Sequence, residues 1–211
     1  MKWPELSAKA RERFLSSYTD DGWPDDTLCY YKEDPSFKLR GFDIREIYWR
    51  GFYNQGDGAS WTGRVYLKPL ITQTMLAPDD AVKREVFLAL IDNGDLMHWL
   101  EIKQLGSYCH EMTMQILDAL QAYYAMDTSI NDASCKESIF YGAQSDTILE
   151  AIGGNEALAY LETFALDAAR ALAREIYAAL EADFEHAHSE AVVAELAEAN
   201  DWEFDEDGTL I

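Results

Sequence analysis

After Arg174 there is no lysine or arginine, although twelve carboxylates follow. The shortage begins earlier. Residues 85–211 hold 26 of the 39 acidic residues and only Lys103, Lys136, Arg170 and Arg174 as bases, whereas residues 1–84 hold 13 of each sign. Nucleic acid is gripped through its phosphates by clustered lysine and arginine, so the C-terminal part is excluded from that role. An anionic membrane surface is excluded for the same reason. No apolar run reaches the roughly 18–20 residues of a membrane-spanning helix. The opening MKWPELSAKARERF has a helical pattern in place of the apolar stretch of a secretory signal. Cysteine is scarce: Cys29, Cys109 and Cys135 are odd in number, far apart and without CxxC spacing. That usage fits free thiols, and the expected location is the cytoplasm. Signatures with defined catalytic mechanics, such as GxSxG and HExxH, are missing. The expectation is a protein that is not an enzyme and needs no cofactor.

What is present suffices for a packed core: 48% of the 211 residues are hydrophobic and 13% are aromatic. No internal repeat or low-complexity linker divides the chain. The fold expected is a single α+β domain over residues 1–211, charge-balanced to 84 and strongly acidic from 85. Antiparallel β-hairpins would pack against helices, with one long C-terminal helix as the spine.

Ser7 is a suitable cap for a first helix, whose Leu6, Ala10, Phe14 and Tyr18 share a face. Residues 20–37, rich in Asp, Pro and Gly, read as loop. Ile47–Phe52 and Ser60–Leu67 have strand composition, with NQGDG as the hairpin loop between them. Pro78-Asp79-Asp80 opens a helix to about Ile91, which Asp92-Asn93-Gly94 closes. Leu96–Lys103 and Ser107–Leu117 read as strands joined near Gly106, with LDALQAYY an alternative short helix and 127–146 a loop. Asn155 is a candidate cap for the long helix. Its stripe is Leu158, Leu161, Ala165, Ala168, Leu172, Ile176, Ala179 and Leu180, and it runs to about Phe184. Ser189 starts a shorter helix that Asn200 ends. Trp202-Glu203-Phe204 and Thr209-Leu210-Ile211 then flank a hairpin-type turn at Glu206-Asp207-Gly208.

Several of these stretches together resemble a family of uncharacterised proteins widespread in bacteriophages, prophages and mobile elements. Its opening ELS-x-x-A-x-x-R is matched by Glu5-Leu6-Ser7, Ala10 and Arg13. Its central IYFSGFxSQGDGAxFxG is matched by IYWRGFYNQGDGASWTG, Ile47 to Gly63. A later G-x-YSHS-like strand corresponds to GSYCHEMT, Gly106 to Thr113. The family's C-terminal ANEYxFxEDG is echoed by ANDWEFDEDG. Arg50 and Asn54 replace serines of the central motif, and Cys109 and Glu111 depart from the strand motif. The resemblance implies a phage or mobile-element setting and brings no catalytic residue with it; some members carry a loose description as antitoxins.

The motif loop, Gln55, Gly56, Asp57 and Gly58, invites comparison with a phosphate cradle. A cradle needs glycines leading into a helix, commonly followed by lysine. Here no lysine follows and strand composition does. The glycines are expected to supply positive φ or room for backbone, and Asp57 to bond its own turn. A metal site is not expected either. His186 and His188 are two apart on a helix, and Cys109 and Glu111 share a strand face from which His110 points away.

The acids remain. Glu181 and Glu185 are i, i+4 on one helix; Glu195 and Glu198 are i, i+3 on the next, after Glu190. Asp201, Glu203, Asp205, Glu206 and Asp207 extend the field. Such carboxylates stand about 6 Å apart on a helix surface, close to the spacing of phosphates along a nucleic-acid strand. These ten acids are the candidate partner-binding residues. The function expected is a phage- or mobile-element-encoded inhibitor or decoy. It would mimic nucleic acid and bind a basic nucleic-acid-handling host protein, such as a restriction or CRISPR-type defence complex. The alternatives are a solvated acidic face without a partner, an accessory module that binds a small molecule or protein through the QGDG hairpin, an antitoxin, or an enzyme using Cys109 or buried carboxylates. A homodimer stays open.

Overall fold

Ser7 caps the first helix as its position requires: its hydroxyl accepts a hydrogen bond from the Ala10 amide at 3.2 Å, and α1 runs Ala8–Ser17. The computed structural model describes residues 1–19, 23–54, 56–94, 96, 98–105, 113–116 and 155–211. The fold is α+β. After α1 come α2 (Asp25–Glu33), α3 (Pro35–Leu39), β1 (Phe42–Arg50), β2 (Gly58–Tyr66), α4 (Leu67–Thr74) and α5 (Ala81–Asn93). Then follow β3 (Trp99–Leu105), β4 (Thr113–Ile116), the long α6 (Asn155–Ala187) and α7 (Glu190–Ala199). Short 3-10 turns lie at Trp3–Glu5 and Pro78–Asp80. Among the described residues no helix is long and apolar enough to cross a membrane.

The chain divides into two compact units: Met1–Tyr30 with Ala178–Ile211, and Tyr31–Tyr177. The change of charge balance after residue 84 falls inside the larger unit.

In that larger unit the strands form one antiparallel sheet in the order β1-β2-β3-β4. Phe42 opposes Val65, and Ile47 opposes Trp61, with Arg45 skipped at a bulge between Ile44 and Glu46. Phe42, Ile44, Trp61, Val65, Leu100 and Ile102 are buried. Helix α6 supplies Leu161, Ala165, Ala169, Leu172 and Ile176 to the core. Trp61 is fully buried, and its indole Nε1 donates to the Ala169 carbonyl oxygen of α6 at 3.1 Å. That bond ties β2 to the long helix and satisfies the one polar atom of the indole. Arg40 adds a two-pronged bond to the Glu175 carboxylate of α6, at 2.7 and 3.0 Å. On the sheet, Glu101 accepts from Arg45 at 2.7 Å and lies 3.5 Å from the Arg64 Nε, while the Arg64 guanidinium covers the Trp99 ring.

Three readings of the sequence need correction. In the stretch 20–37, expected as loop, the described residues 23–37 are largely helical. Asp25 and Asp26 occupy the first turn of α2, and Asp34 caps α3 through a 2.7 Å bond from the Ser36 amide, with Pro35 at the first helical position. The Asp and Pro that suggested irregular chain are helix-start residues. The stripe of α6 passes through Ala169, which is buried, rather than half-buried Ala168. Finally, Leu67 starts α4 instead of ending β2. The region 127–146, LDALQAYY and the Gly106 connection lie outside the described residues.

Candidate functional site

The hairpin loop between β1 and β2 is closed by its own aspartate. Asp57 Oδ2 accepts from the Asn54 amide at 2.5 Å, and the Asp57 amide donates to the Asn54 carbonyl at 3.1 Å. Gly51 stands beneath that carboxylate at φ +46, where a Cβ would meet the Asp57 carboxylate oxygens at 2.7 Å. Gly56 takes φ +98, whereas Gly58 begins β2 opposite Arg50. Gln55 lies outside the described residues. The loop is therefore braced internally, with the one acid of the motif spent on the turn. Around it Trp49 and Phe52 stack with centroids 5.6 Å apart, and Phe52 lies against Tyr177 of α6 at 5.5 Å.

The C-terminal acids belong to the smaller unit. Its core joins Trp3, Leu6 and Ala10 to Val193, Ala197 and Phe204. Trp3, Phe14 and Phe204 meet edge to face, with Trp202 alongside. The N-terminal segment pairs with the chain after α7: the Met1 amino group donates to the Phe204 carbonyl at 2.7 Å, and the Phe204 amide donates back to Met1 at 2.9 Å. The expected C-terminal hairpin forms: Phe204 bridges Leu210 in antiparallel sense, the Asp205 amide donates to the Thr209 carbonyl and the Ile211 amide to the Glu203 carbonyl, both at 2.9 Å.

This arrangement brings distant bases onto the acids. Lys2 Nζ lies 2.6 Å from Asp201 Oδ1 and 3.4 Å from Glu203. Arg11 reaches Glu190 at 2.8 Å, and Arg13 reaches Asp207 at 3.6 Å. The hydrogen bond to Asp201 is the largest cause holding the Lys2 ammonium above its ordinary pKa of 10.5, and Glu203 adds to it. Asp205 turns the chain: its Oδ1 accepts from the amides of Asp207 and Thr209 at 3.0 and 2.8 Å. Five of the ten candidate acids thus have work inside the unit. Glu181, Glu185, Glu195, Glu198 and Glu206 have no ion-pair partner among the described residues.

Two of those five line a cleft of about 420 Å³. Trp3 and Pro4 contribute from the N-terminal turn, Ala194 and Ala197 from α7; Glu195, Glu198 and the Lys2–Asp201 pair complete the lining. The cleft is not legible in the sequence, because residues 2–4 and 194–201 meet only through the fold. The one available signal was the aromatic and apolar character of the N-terminal segment.

The other candidates disperse. His188 is half-buried in aromatic packing, stacked on Phe184 at 3.9 Å and edge-on to Tyr18, with Nδ1 2.9 Å from the Phe184 carbonyl. Cys29 is an exposed free cysteine. Among the described residues no group of three His, Cys, Asp or Glu side chains could hold a metal ion. Cys109, His110, Glu111 and Cys135 lie outside the described residues.

No curated protein and no solved structure matches the chain. The model of one family, a domain of unknown function (DUF8835), matches residues 34–190. The match takes in the motif hairpin and the long helix, and leaves outside it α1 and the acidic segment beyond Glu190. The chain belongs to the family of the domain of unknown function DUF8835.

Proposed function

We propose that the protein is a non-enzymatic inhibitor or decoy, encoded by a phage or mobile element and acting in the cytoplasm of the host. Its acidic smaller unit binds a basic nucleic-acid-handling host protein, a restriction or CRISPR-type defence complex being the kind of target that fits. The phage setting rests on the likeness of IYWRGFYNQGDGASWTG and ANDWEFDEDG to the motifs of phage and prophage proteins.

The observation that carries the reading is the charge of the smaller unit. It holds 17 of the 39 acidic residues and 4 of the 17 basic ones, and three of those four bases are spent on internal ion pairs. Glu181, Glu185, Glu195, Glu198 and Glu206 are left to face a partner. Two regular helices carry four of them, so the charges are fixed in relation to one another along each helix. A basic groove would be drawn to such a surface quickly, and the attraction would fall with ionic strength.

The test is capture of host proteins on the immobilised full chain at low and high salt. Each retained protein is then assayed for loss of its nucleic acid when the chain is added. A salt-sensitive basic protein that surrenders DNA or RNA is the expected result. Retained proteins that are neither basic nor salt-sensitive would contradict the reading.

A further inference from the structure

The cleft beside α7 has two characters at once. Its walls are apolar, from Trp3, Pro4, Ala194 and Ala197, while Glu195 and Glu198 supply two carboxylates without an ion-pair partner among the described residues. The fixed cation of the cleft, Lys2, is engaged by Asp201 and Glu203 and leaves those two carboxylates unneutralised. A volume of about 420 Å³ falls within the roughly 300–1,000 Å³ of small-ligand pockets. An anion would be repelled by the excess of carboxylate. A wholly apolar ligand would cover the glutamates without compensating their lost hydration.

We propose that this cleft is a socket for an arginine side chain of the basic partner, taken together with its immediate peptide neighbours. The inference rests on the acidic-face reading and names the chemistry that the face selects. Glu195 and Glu198, one helical turn apart, have Cβ atoms about 5–6 Å from each other, a separation that a planar guanidinium with five donors spans. The methylene stem of arginine lies along the alanine and proline walls. A lysine ammonium presents a compact point charge and satisfies one carboxylate well but not both.

The test uses the ¹⁵N-labelled full chain, titrated with acetyl-Gly-Arg-Gly-amide and with its lysine and citrulline counterparts, citrulline being the uncharged near-isostere of arginine. The arginine peptide is expected to give saturable shifts at the Trp3 indole N–H and the Ala194–Glu198 amides. The lysine peptide binds more weakly, and the citrulline peptide at least about ten-fold more weakly. The double variant E195Q/E198Q weakens the arginine peptide about ten-fold while the Ala10 and Gly208 amides keep their positions. Absence of saturable shifts overturns the socket, as does equal binding of citrulline or binding indifferent to E195Q/E198Q. The wider reading fails separately. A basic protein held with unchanged affinity by E195Q/E198Q overturns the socket and leaves the acidic face in place. Peptide binding in the cleft, without capture of any basic protein, supports the socket and removes the inhibitor role.

Discussion

Gly208 lies directly against Ala10: a Cβ at position 208 would stand 2.3 Å from the Ala10 carbonyl oxygen, and the glycine holds φ +84. The acidic C-terminal motif is thus first a fastening. Its glycine seats the turn on α1, its Asp205 forms the turn, and its Asp201, Glu203 and Asp207 receive the bases of the N-terminal segment.

Gly208→Ala should therefore destabilise the smaller unit severely. A left-handed alanine costs about 1–2 kcal/mol, and forcing the turn off α1 adds about 1–3 kcal/mol. Denaturant unfolding followed by the indole N–H resonances of Trp3 and Trp202, both in the smaller unit, measures it. A variant as stable as the parent would refute the fastening.

The motif hairpin offers a cycle of two residues. Asp57→Ala removes the bond from the Asn54 amide and should cost about 0.5–1.5 kcal/mol. Gly51→Ala places a methyl group into the Asp57 carboxylate and should cost about 1–3 kcal/mol. The double variant should cost clearly less than the two together, because the group that clashes has gone. Strict additivity in thermal unfolding would show that the two positions do not oppose one another.

In the larger unit, Trp61→Phe takes away the donor to the Ala169 carbonyl and part of a fully buried ring. The expected loss is about 1–3 kcal/mol, read as a lower denaturant midpoint with an unchanged slope. A loss below a few tenths of a kcal/mol would mean that β2 and α6 are held together by other contacts.

Lys2 should add an alkaline step to the stability of the smaller unit. Its pKa is raised in the folded chain, chiefly by the hydrogen bond to Asp201. Its contribution is therefore fully present below the unfolded value of 10.5 and is lost as pH rises through the folded value. Lys2→Arg keeps its charge throughout that range and should flatten this part of the pH–stability profile, whereas Lys2→Met should remove the step and lower stability at neutral pH. Profiles of parent and Lys2→Arg that coincide above pH 10.5 would contradict the assignment.

Where the signals were local, the sequence was readable. Ser7 and Ser189 cap α1 and α7, Gly94 ends α5, and the two aromatic arms of the motif pair as a hairpin. The α2–α3 region reads as loop because Asp and Pro serve both loops and helix starts, and Asp34-Pro35 does the latter. The site was legible in half. The run of acids was plain, and spacing rules reach only three or four residues along a helix. They could not show that Lys2, Arg11 and Arg13, some 180–200 positions away, would neutralise Glu190, Asp201, Glu203 and Asp207. Nor could they show that Trp3 and Pro4 would make a cleft beside Glu195 and Glu198.

On the proposed reading, the acids left free by this pairing engage a basic partner. Replacing Glu181, Glu185, Glu195, Glu198 and Glu206 together by glutamine leaves the internal pairs intact and removes five charges. The decisive measurement is the affinity of parent and variant for the basic protein captured by the parent chain, each across a salt series. Strong, steeply salt-dependent binding by the parent, with a marked loss of both affinity and salt dependence in the variant, is the result expected. Equal affinity and equal salt dependence in the two would contradict it.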